Sequence, residues 1–399
     1  MDASRVGQQT VLFVVSEDWY FVSHRLPQAR AVRDMGFRVV VAAHVHAHGD
    51  DIASEGFDVI HVPFERRSLD PLREVRVIWA LWRIIGAQRP RVIHAVALKP
   101  IIDVGIAALF VRRATVINAF TGMGAVLGHF ARPSRIKRFV ASLIRILSRL
   151  NRAHAIVQNS YDEAFIVGRG IAPRDRVFLI PGSGVDVDAF RAVPEPQEPV
   201  VVSMVSRLLK DKGVGELVAA GKLLSERGLA VKIQVVGARD PDNPYSVTEA
   251  EIARWQEDVG IAFLGNCDDV AAIWSNSHIA ALPSYYGEGV PKSLLEAAAC
   301  GRAIVTTDMP GCRDLVPDGL TGILVPPRDP GALTSALARL AECPEERAEM
   351  GRQARELAVR KFSDQLVMER TQEVYQVALG DGAETGHGAV SDRPAVQDE

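Results

Sequence analysis

The chain has 399 residues, 48% of them hydrophobic and 24% charged, with a net charge of -3. That composition excludes a disordered or fibrous protein, and the length suits two domains of roughly 100 to 200 residues each. Cys267, Cys300, Cys312 and Cys343 show neither a pairing pattern nor a zinc-type spacing, so reduced thiols in a cytosolic protein are expected rather than a disulfide scaffold.

In chain order, β-branched runs at 10–16, 38–45, 57–63, 91–97, 115–121, 153–160 and 177–181 predict buried strands. Amphipathic segments such as 24–36 and 72–88 separate them. The apolar stretch 101–111 is too short to span a bilayer and contains Asp103. After the Pro-rich linker 191–199 the rhythm restarts, with strands at 200–206, 231–237, 261–266, 278–284, 303–308 and 322–327. Alternating strand and helix predicts parallel sheets covered on both faces, so the expected fold class is α/β, with two doubly wound Rossmann-like domains facing a cleft. Ligands of such sheets collect at the carboxyl ends of the strands. The expected boundaries are 1–190 and 191–362, then a helix at 363–380 returning to the first domain and a disordered tail at 381–399.

Charge divides with the domains. Residues 1–190 carry eight more basic than acidic groups, and 191–399 eleven more acidic than basic. A basic half points to an anionic partner: a membrane surface, a phosphate-bearing substrate or a nucleic acid. The segment 132–152 interleaves Arg132, Arg135, Lys137, Arg138, Arg145, Arg149 and Arg152 with large apolar residues, the pattern of a helix lying on an anionic leaflet, or of a core helix with a solvated basic face.

The densest functional signal is "YYGEGVPKSLLEAAACG", 285–301. Pro291 suits the first turn of a helix and Gly301 its end. The amides near Lys292, Ser293 and Leu294 are then free to hold a phosphate at the positive end of the helix dipole. Glu288 lies in the loop ahead of that site, and Glu296 sits one turn into the helix, where a carboxylate can take paired ribose hydroxyls. On spacing alone a solvated acidic loop and an ordinary helix glutamate fit equally. "SRLLKDKGV", 206–214, places Arg207 and Lys212 at the carboxyl end of the first strand of the second half, where two cations can neutralise a departing diphosphate without a metal.

These segments, with "VVGARDPDNP", "FLGNCDDV", "GRAIVTTDMPGCRDLV" and "DGLTGILVPPRDP", resemble family 4 of the retaining glycosyltransferases, which have the GT-B fold. In the first half "SEDWYFVSHRLPQA", "SLDP", "AVALKP", "NAFTGMG" and "PGSGVDVDAF" are similar to transferases that build bacterial surface or protein-linked glycans on undecaprenyl diphosphate. The resemblance implies that Arg207 and Lys212 hold the nucleotide diphosphate, Glu296 binds the ribose, and Glu288 contacts the donor sugar. It implies backbone contacts from Gly289, Val290, Pro291, Lys292, Ser293 and Leu294, and a base pocket at 265–270 with Asn266 and Asp268. Arg239, in "ARDPDNP", would face the same cleft. A UDP-sugar donor and a lipid-diphosphate-linked saccharide acceptor follow, with no metal and no nucleic acid. The protein would then work in the cytoplasm, peripherally on the inner leaflet of the plasma membrane, through the basic helix 132–152.

The first half departs from the family pattern. Many members carry a His where "NAFTGMG" offers Thr121, and the loop "SEDWYFVSHR" lacks the usual Gly pair, leaving Ser23, His24 and Arg25 as acceptor-side candidates. His44, His46 and His48 fall where the second strand meets its loop, and no metal site is expected there. Asp186 and Asp188 mimic a metal-binding D-x-D but lie at the linker. Trp19, Tyr20 and Phe21 either stack on an acceptor sugar or close the end of a sheet. A nucleotide-sugar 2-epimerase and a non-catalytic nucleotide-sugar-binding subunit share the layout and stand as the rival readings.

Overall fold

The computed structural model describes residues 8–65, 70–111, 114–122, 135–241 and 243–380. Arg132 and the tail 381–399 lie outside the described residues. The first half runs β1 (Thr10–Glu17), α1 (Asp18–Asp34), β2 (Arg38–His44), α2 (Gly49–Ser54), β3 (Asp58–His61), α3 (Pro71–Gln88), β4 (Val92–Val96), α4 (Leu98–Ala107), β5 (Thr115–Ala119), α5 (Arg135–Leu150), β6 (His154–Val157), α6 (Ser160–Gly168) and β7 (Val177–Leu179). The second runs β8 (Val200–Val205), α7 (Val214–Glu226), β9 (Val231–Val236), α8 (Glu249–Val259), β10 (Ala262–Gly265), α9 (Val270–Ser275), β11 (Ile279–Leu282), α10 (Lys292–Ala299), β12 (Ala303–Thr307), α11 (Pro310–Leu315), β13 (Gly322–Val325), α12 (Pro330–Glu342) and α13 (Pro344–Phe362). α14 (Asp364–Leu379) ends the described chain.

Each half is one parallel sheet, ordered β3-β2-β1-β4-β5-β6-β7 and β10-β9-β8-β11-β12-β13. Both orders reverse beside the first strand of their half, which opens a crevice at the carboxyl ends there. The first sheet is apolar on both faces: Leu12, Val14, Val40 and Ile93 pack beneath α3 and α4, and Phe13, Val39 and Val41 beneath α1. α14 closes that second face. Its Val367, Val374 and Tyr375 join the α1 core, and the Tyr375 hydroxyl lies 2.8 Å from His94 Nδ1. The chain crosses back where Val185 donates to the Phe362 carbonyl (2.9 Å) and Asp364 to that of Val185 (3.0 Å).

One boundary differs from the sequence expectation in a way that moves functional candidates. Residues 18–25 form the first turns of α1, not a loop. Asp18 favours the helix start and accepts from the amides of Trp19, His46 and His48, while Phe21 is fully buried against Phe13. Pro27 sits inside the helix, within the amphipathic segment 24–36 expected from sequence.

Candidate functional site

The second half gathers its charged groups at the carboxyl ends of β8 and β11. Arg207 leaves β8 through Ser206, and Lys212 closes a 3-10 turn (Lys210–Lys212) ahead of α7. Gly213 makes that turn possible: its φ is +83°, and a β-carbon there would stand 2.2 Å from the Pro283 carbonyl. The Lys212 turn is thereby pressed against the loop leaving β11, which the Tyr285 amide fastens by donating to the Asp211 carbonyl (3.0 Å).

From that seat Lys212 Nζ reaches Glu288 Oε2 at 2.6 Å, and the Ser284 hydroxyl donates to Glu288 Oε1 at 2.7 Å. Both side chains of the ion pair are largely buried, at 13% and 15% exposure. Arg207 Nη1 donates to Asp240 Oδ2 at 3.1 Å. The "ARDPDNP" loop therefore contributes Asp240 to the cluster, while Arg239 binds the Val247 carbonyl (2.9 Å) and pairs with Glu249. These bonds hold Arg239 toward the start of α8. Asp211, buried beneath the cluster, has its carboxyl raised first by burial and further by Glu288, against Lys212 and Arg207.

Helix α10 starts at Lys292, so Pro291 is its N-cap and not, as expected from sequence, a residue of its first turn. The Leu294 amide donates to the Pro291 carbonyl (3.1 Å), so it is not an open donor. Among the described residues the Lys292 and Ser293 amides have no such partner, and those two face outward at the positive end of the helix. Lys292 Nζ donates to the Gly184 carbonyl (3.3 Å), a bond between the halves. Glu296 is 9% exposed, and burial lifts its carboxyl to about 7, with Lys292 and then Trp274 acting the other way. Asn266 and Asp268 lie exposed after β10.

The first half meets this cluster at Gly289. A β-carbon on Gly122 would stand 2.5 Å from the Gly289 nitrogen, and one on Gly289 would stand 2.0 Å from Gln158 Oε1. Gln158 is itself fixed by donating to the Gly182 carbonyl (3.0 Å). Gly122 thus touches the Glu288–Gly289 backbone across the cleft, with Thr121 next to it in the chain; Met123 and Gly124 of "NAFTGMG" lie outside the described residues. A second crossing joins the Ser160 amide to Asp314 Oδ2 (3.2 Å).

On α1 the three acceptor-side candidates separate. The Ser23 hydroxyl donates to the Trp19 carbonyl (2.8 Å) and lies 2.6 Å from His24 Nδ1. That contact fixes the imidazole ring beside the first turn of α1. Burial, then Lys292, Arg25, Lys212 and Arg207, hold His24 well below the usual histidine range. Three of those cations are in the second half, so His24 faces the donor cluster. Arg25 does not: it is 1% exposed, with its guanidinium on Gln28 Oε1 (2.9 Å) and the Tyr20 hydroxyl (3.2 Å). It buttresses Tyr20, whose ring stacks on His24 at 4.4 Å, and an acceptor cannot reach it.

The remaining candidates are structural. Asp186 Oδ1 accepts from the amides of Asp188 and Ala189, each at 2.9 Å, as a turn does. His44 and His46 come together with Glu17, all three offering ligand atoms within 4.8 Å. The two imidazole rings stack at 4.0 Å, and His46 Nε2 lies 3.5 Å from Glu17 Oε2. Sequence reasoning missed Asp240, Ser284 and Gln158. An acid next to Arg239 in a quoted loop was a signal for the first; the other two act only through tertiary contact.

Comparison with known proteins follows the same division. The profile described as "Glycosyl transferases group 1" matches residues 186–357, and "Glycosyl transferase 4-like" matches 10–160. Over 365 residues the chain is 24% identical to the N,N'-diacetylbacillosaminyl-diphospho-undecaprenol alpha-1,3-N-acetylgalactosaminyltransferase of Campylobacter jejuni, covering 88% of this chain and 94% of that one. The chain belongs to the family 4 glycosyltransferases. This glycosyltransferase is also 20% identical over 347 residues to the capsular polysaccharide biosynthesis glycosyltransferase CapM of Staphylococcus aureus, 84% of this chain and 89% of CapM. In fold it matches HepE of Anabaena, solved with UDP and glucose, at a TM-score of 0.74 and 18% identity, covering 93% of this chain and all of that one. That likeness establishes the GT-B arrangement of the family 4 enzyme. Among the described residues no helix is long and apolar enough to cross a membrane.

Proposed function

We propose that this enzyme is a retaining, metal-independent glycosyltransferase that moves a hexose or N-acetylhexosamine from a UDP-sugar to a lipid-diphosphate-linked saccharide in bacterial surface or protein-linked glycan assembly. The observation that carries the reading is the cluster of Arg207, Lys212 and the open Lys292 and Ser293 amides around Glu288. The diphosphate meets the two cations and the helix N-terminus, Glu296 takes the ribose hydroxyls, and Glu288 a hydroxyl of the sugar. In the reaction the bond from the anomeric carbon to phosphate oxygen breaks while the acceptor oxygen bonds to the same face. The acceptor proton passes to the departing phosphate oxygen. Ser23, His24 and Thr121 line the acceptor side, with His24 Nε2 available to hydrogen-bond a sugar hydroxyl. The C. jejuni relative, named for a diphospho-undecaprenol acceptor, and HepE, solved with UDP and glucose, support acceptor and donor class respectively. The enzyme works at the cytoplasmic leaflet, to which α5 holds it.

A panel of UDP-sugars offered with an undecaprenyl-diphosphate saccharide tests this by UDP release and product mass. Acceptor-dependent UDP release with an α-linked product is expected, undiminished by a chelator. Isomerised donor without transfer would point to the epimerase instead, and donor binding without turnover to a non-catalytic subunit. Glu288→Gln is expected to lower the rate or change donor choice; neither change would remove its sugar contact.

A further inference from the structure

α3, α4 and α5 cover one face of the first sheet. Val77, Leu81 and Ile85 of α3 and Ile144 and Leu147 of α5 point inward. The outward sides of α3 and α5 are not polar, as surface helices of globular domains are. Leu72, Val75, Trp79 and Trp82 on α3, Phe110 just beyond α4, and Ile136, Phe139, Ile146 and Leu150 on α5 are all exposed. Among the described residues these are nine of the sixteen large apolar side chains left exposed, and they sit on one side of one domain. Trp79 and Trp82 keep 55% and 45% of their surface open.

Between these side chains stand Arg73, Arg76 and Arg83 on α3 and Arg135, Lys137, Arg138, Arg145 and Arg149 on α5. The two helices contain a single acid, Glu74, and Lys99 binds it at 2.7 Å. The Arg83 guanidinium lies 4.8 Å over the Trp79 ring, so cation and aromatic present one amphipathic surface. A second copy of the chain would set this basic face against itself. An anionic bilayer complements it, taking the rings among acyl chains and the cations among headgroups.

We infer that α3 and α5 form a two-helix face that docks on an anionic bilayer, with Trp79 and Trp82 as its penetrating element; this rests on the proposed lipid-linked acceptor. The sequence pointed to the α5 segment alone. Both helices follow strands of the parallel sheet, so their first turns, with Leu72, Val75, Ile136 and Phe139, lie toward the carboxyl ends of the strands, the end at which the cleft opens. A docked protein therefore holds the mouth of its acceptor site at the membrane surface.

Whole protein is mixed with vesicles of phosphatidylcholine, with or without phosphatidylglycerol, and followed by co-sedimentation and by quenching of tryptophan emission with bromolipids. Wild type is expected to bind the phosphatidylglycerol vesicles and be quenched, each cation at the surface adding roughly fivefold to partitioning. Trp79→Ala with Trp82→Ala should lose at least about tenfold in partitioning and most quenching, at unchanged melting temperature because both side chains are exposed. Arg138→Glu with Arg145→Glu should abolish the preference for phosphatidylglycerol. Full binding and quenching by the tryptophan double variant would overturn the inference. So would a wild-type dimer in sedimentation velocity that this variant dissolves, since a second copy would then cover the face. Transfer to a water-soluble, short-chain prenyl-diphosphate saccharide separates the two readings. Wild type and the tryptophan variant should perform it equally; docking without such transfer sinks the proposed reaction and leaves the surface standing.

Discussion

Replacing Glu296 by Gln should push stability and donor affinity in opposite directions. Burial lifts this carboxyl from 4.5 to about 7. Below pH 4.5 it is protonated in folded and unfolded chains alike and costs nothing. Between those values the unfolded chain releases the proton and the folded chain keeps it, so stability falls as pH rises. Above 7 the folded chain carries the full ionisation cost, about 3 kcal/mol at roughly 1.4 kcal/mol per pH unit. Gln keeps the shape without the charge, so the variant should gain about 3 kcal/mol at pH 8 and almost nothing near pH 4.5. For a domain of this size that is a rise in melting temperature of about 6–12 °C. Hydrogen bonds from ribose hydroxyls to a carboxylate are worth about 1.5–3 kcal/mol each, so UDP affinity should fall about 10- to 100-fold in the same variant. Scanning calorimetry at both pH values and titration calorimetry with UDP at pH 8 read the two effects. An unchanged or lowered melting temperature at pH 8 refutes the burial argument, and unchanged UDP affinity refutes the ribose contact.

Arg207→Ala should cut turnover about 100-fold or more, with folding intact because the side chain is 38% exposed; single-turnover kinetics and a melting curve check both, and near-normal turnover would refute the diphosphate role. Gly122→Ala places a β-carbon 2.5 Å from the Gly289 nitrogen at a φ of +111° and should hold the two halves apart. Misplacement by about 1 Å costs on the order of a hundredfold in rate, so kcat should fall while UDP binding to the second half stays within about twofold of wild type; weakened UDP binding would show that the contact shapes the donor site instead.

The strands were legible because fully buried parallel strands are written as short β-branched runs, and seven and six such runs lie where the two sheets have them. Arg207, Lys212, Glu288 and Glu296 were legible as types because each stands at a strand end or helix start. Their pairings were not. Nothing local in "SRLLKDKGV" says that Lys212 binds Glu288, a contact created by Gly213 resting on the Pro283 carbonyl. The start of α1 was misread because Trp19, Tyr20 and Phe21 look like a sheet end; the tertiary bonds of Asp18 to His46 and His48 overrode that. Arg25 was misassigned for a related reason. Its neighbours in sequence reach the cleft, but one helical residue further on its side chain turns into the core.

In the free chain Lys212 and Arg207 are already engaged. Lys212 holds Glu288 in a pair that is mostly shielded from water, and Arg207 holds Asp240. Leaving Lys212 largely buried and alone would be costly, so Glu288 keeps it in place until a ligand arrives. On the proposed reading, a diphosphate brings more negative charge than one carboxylate and competes for Lys212. Glu288 is then released from the ammonium while Ser284 still holds its other oxygen, which leaves Oε2 the freed acceptor beside the sugar. Recognition of the sugar is thereby tied to arrival of the diphosphate: a free monosaccharide, which cannot displace Lys212, finds Glu288 occupied.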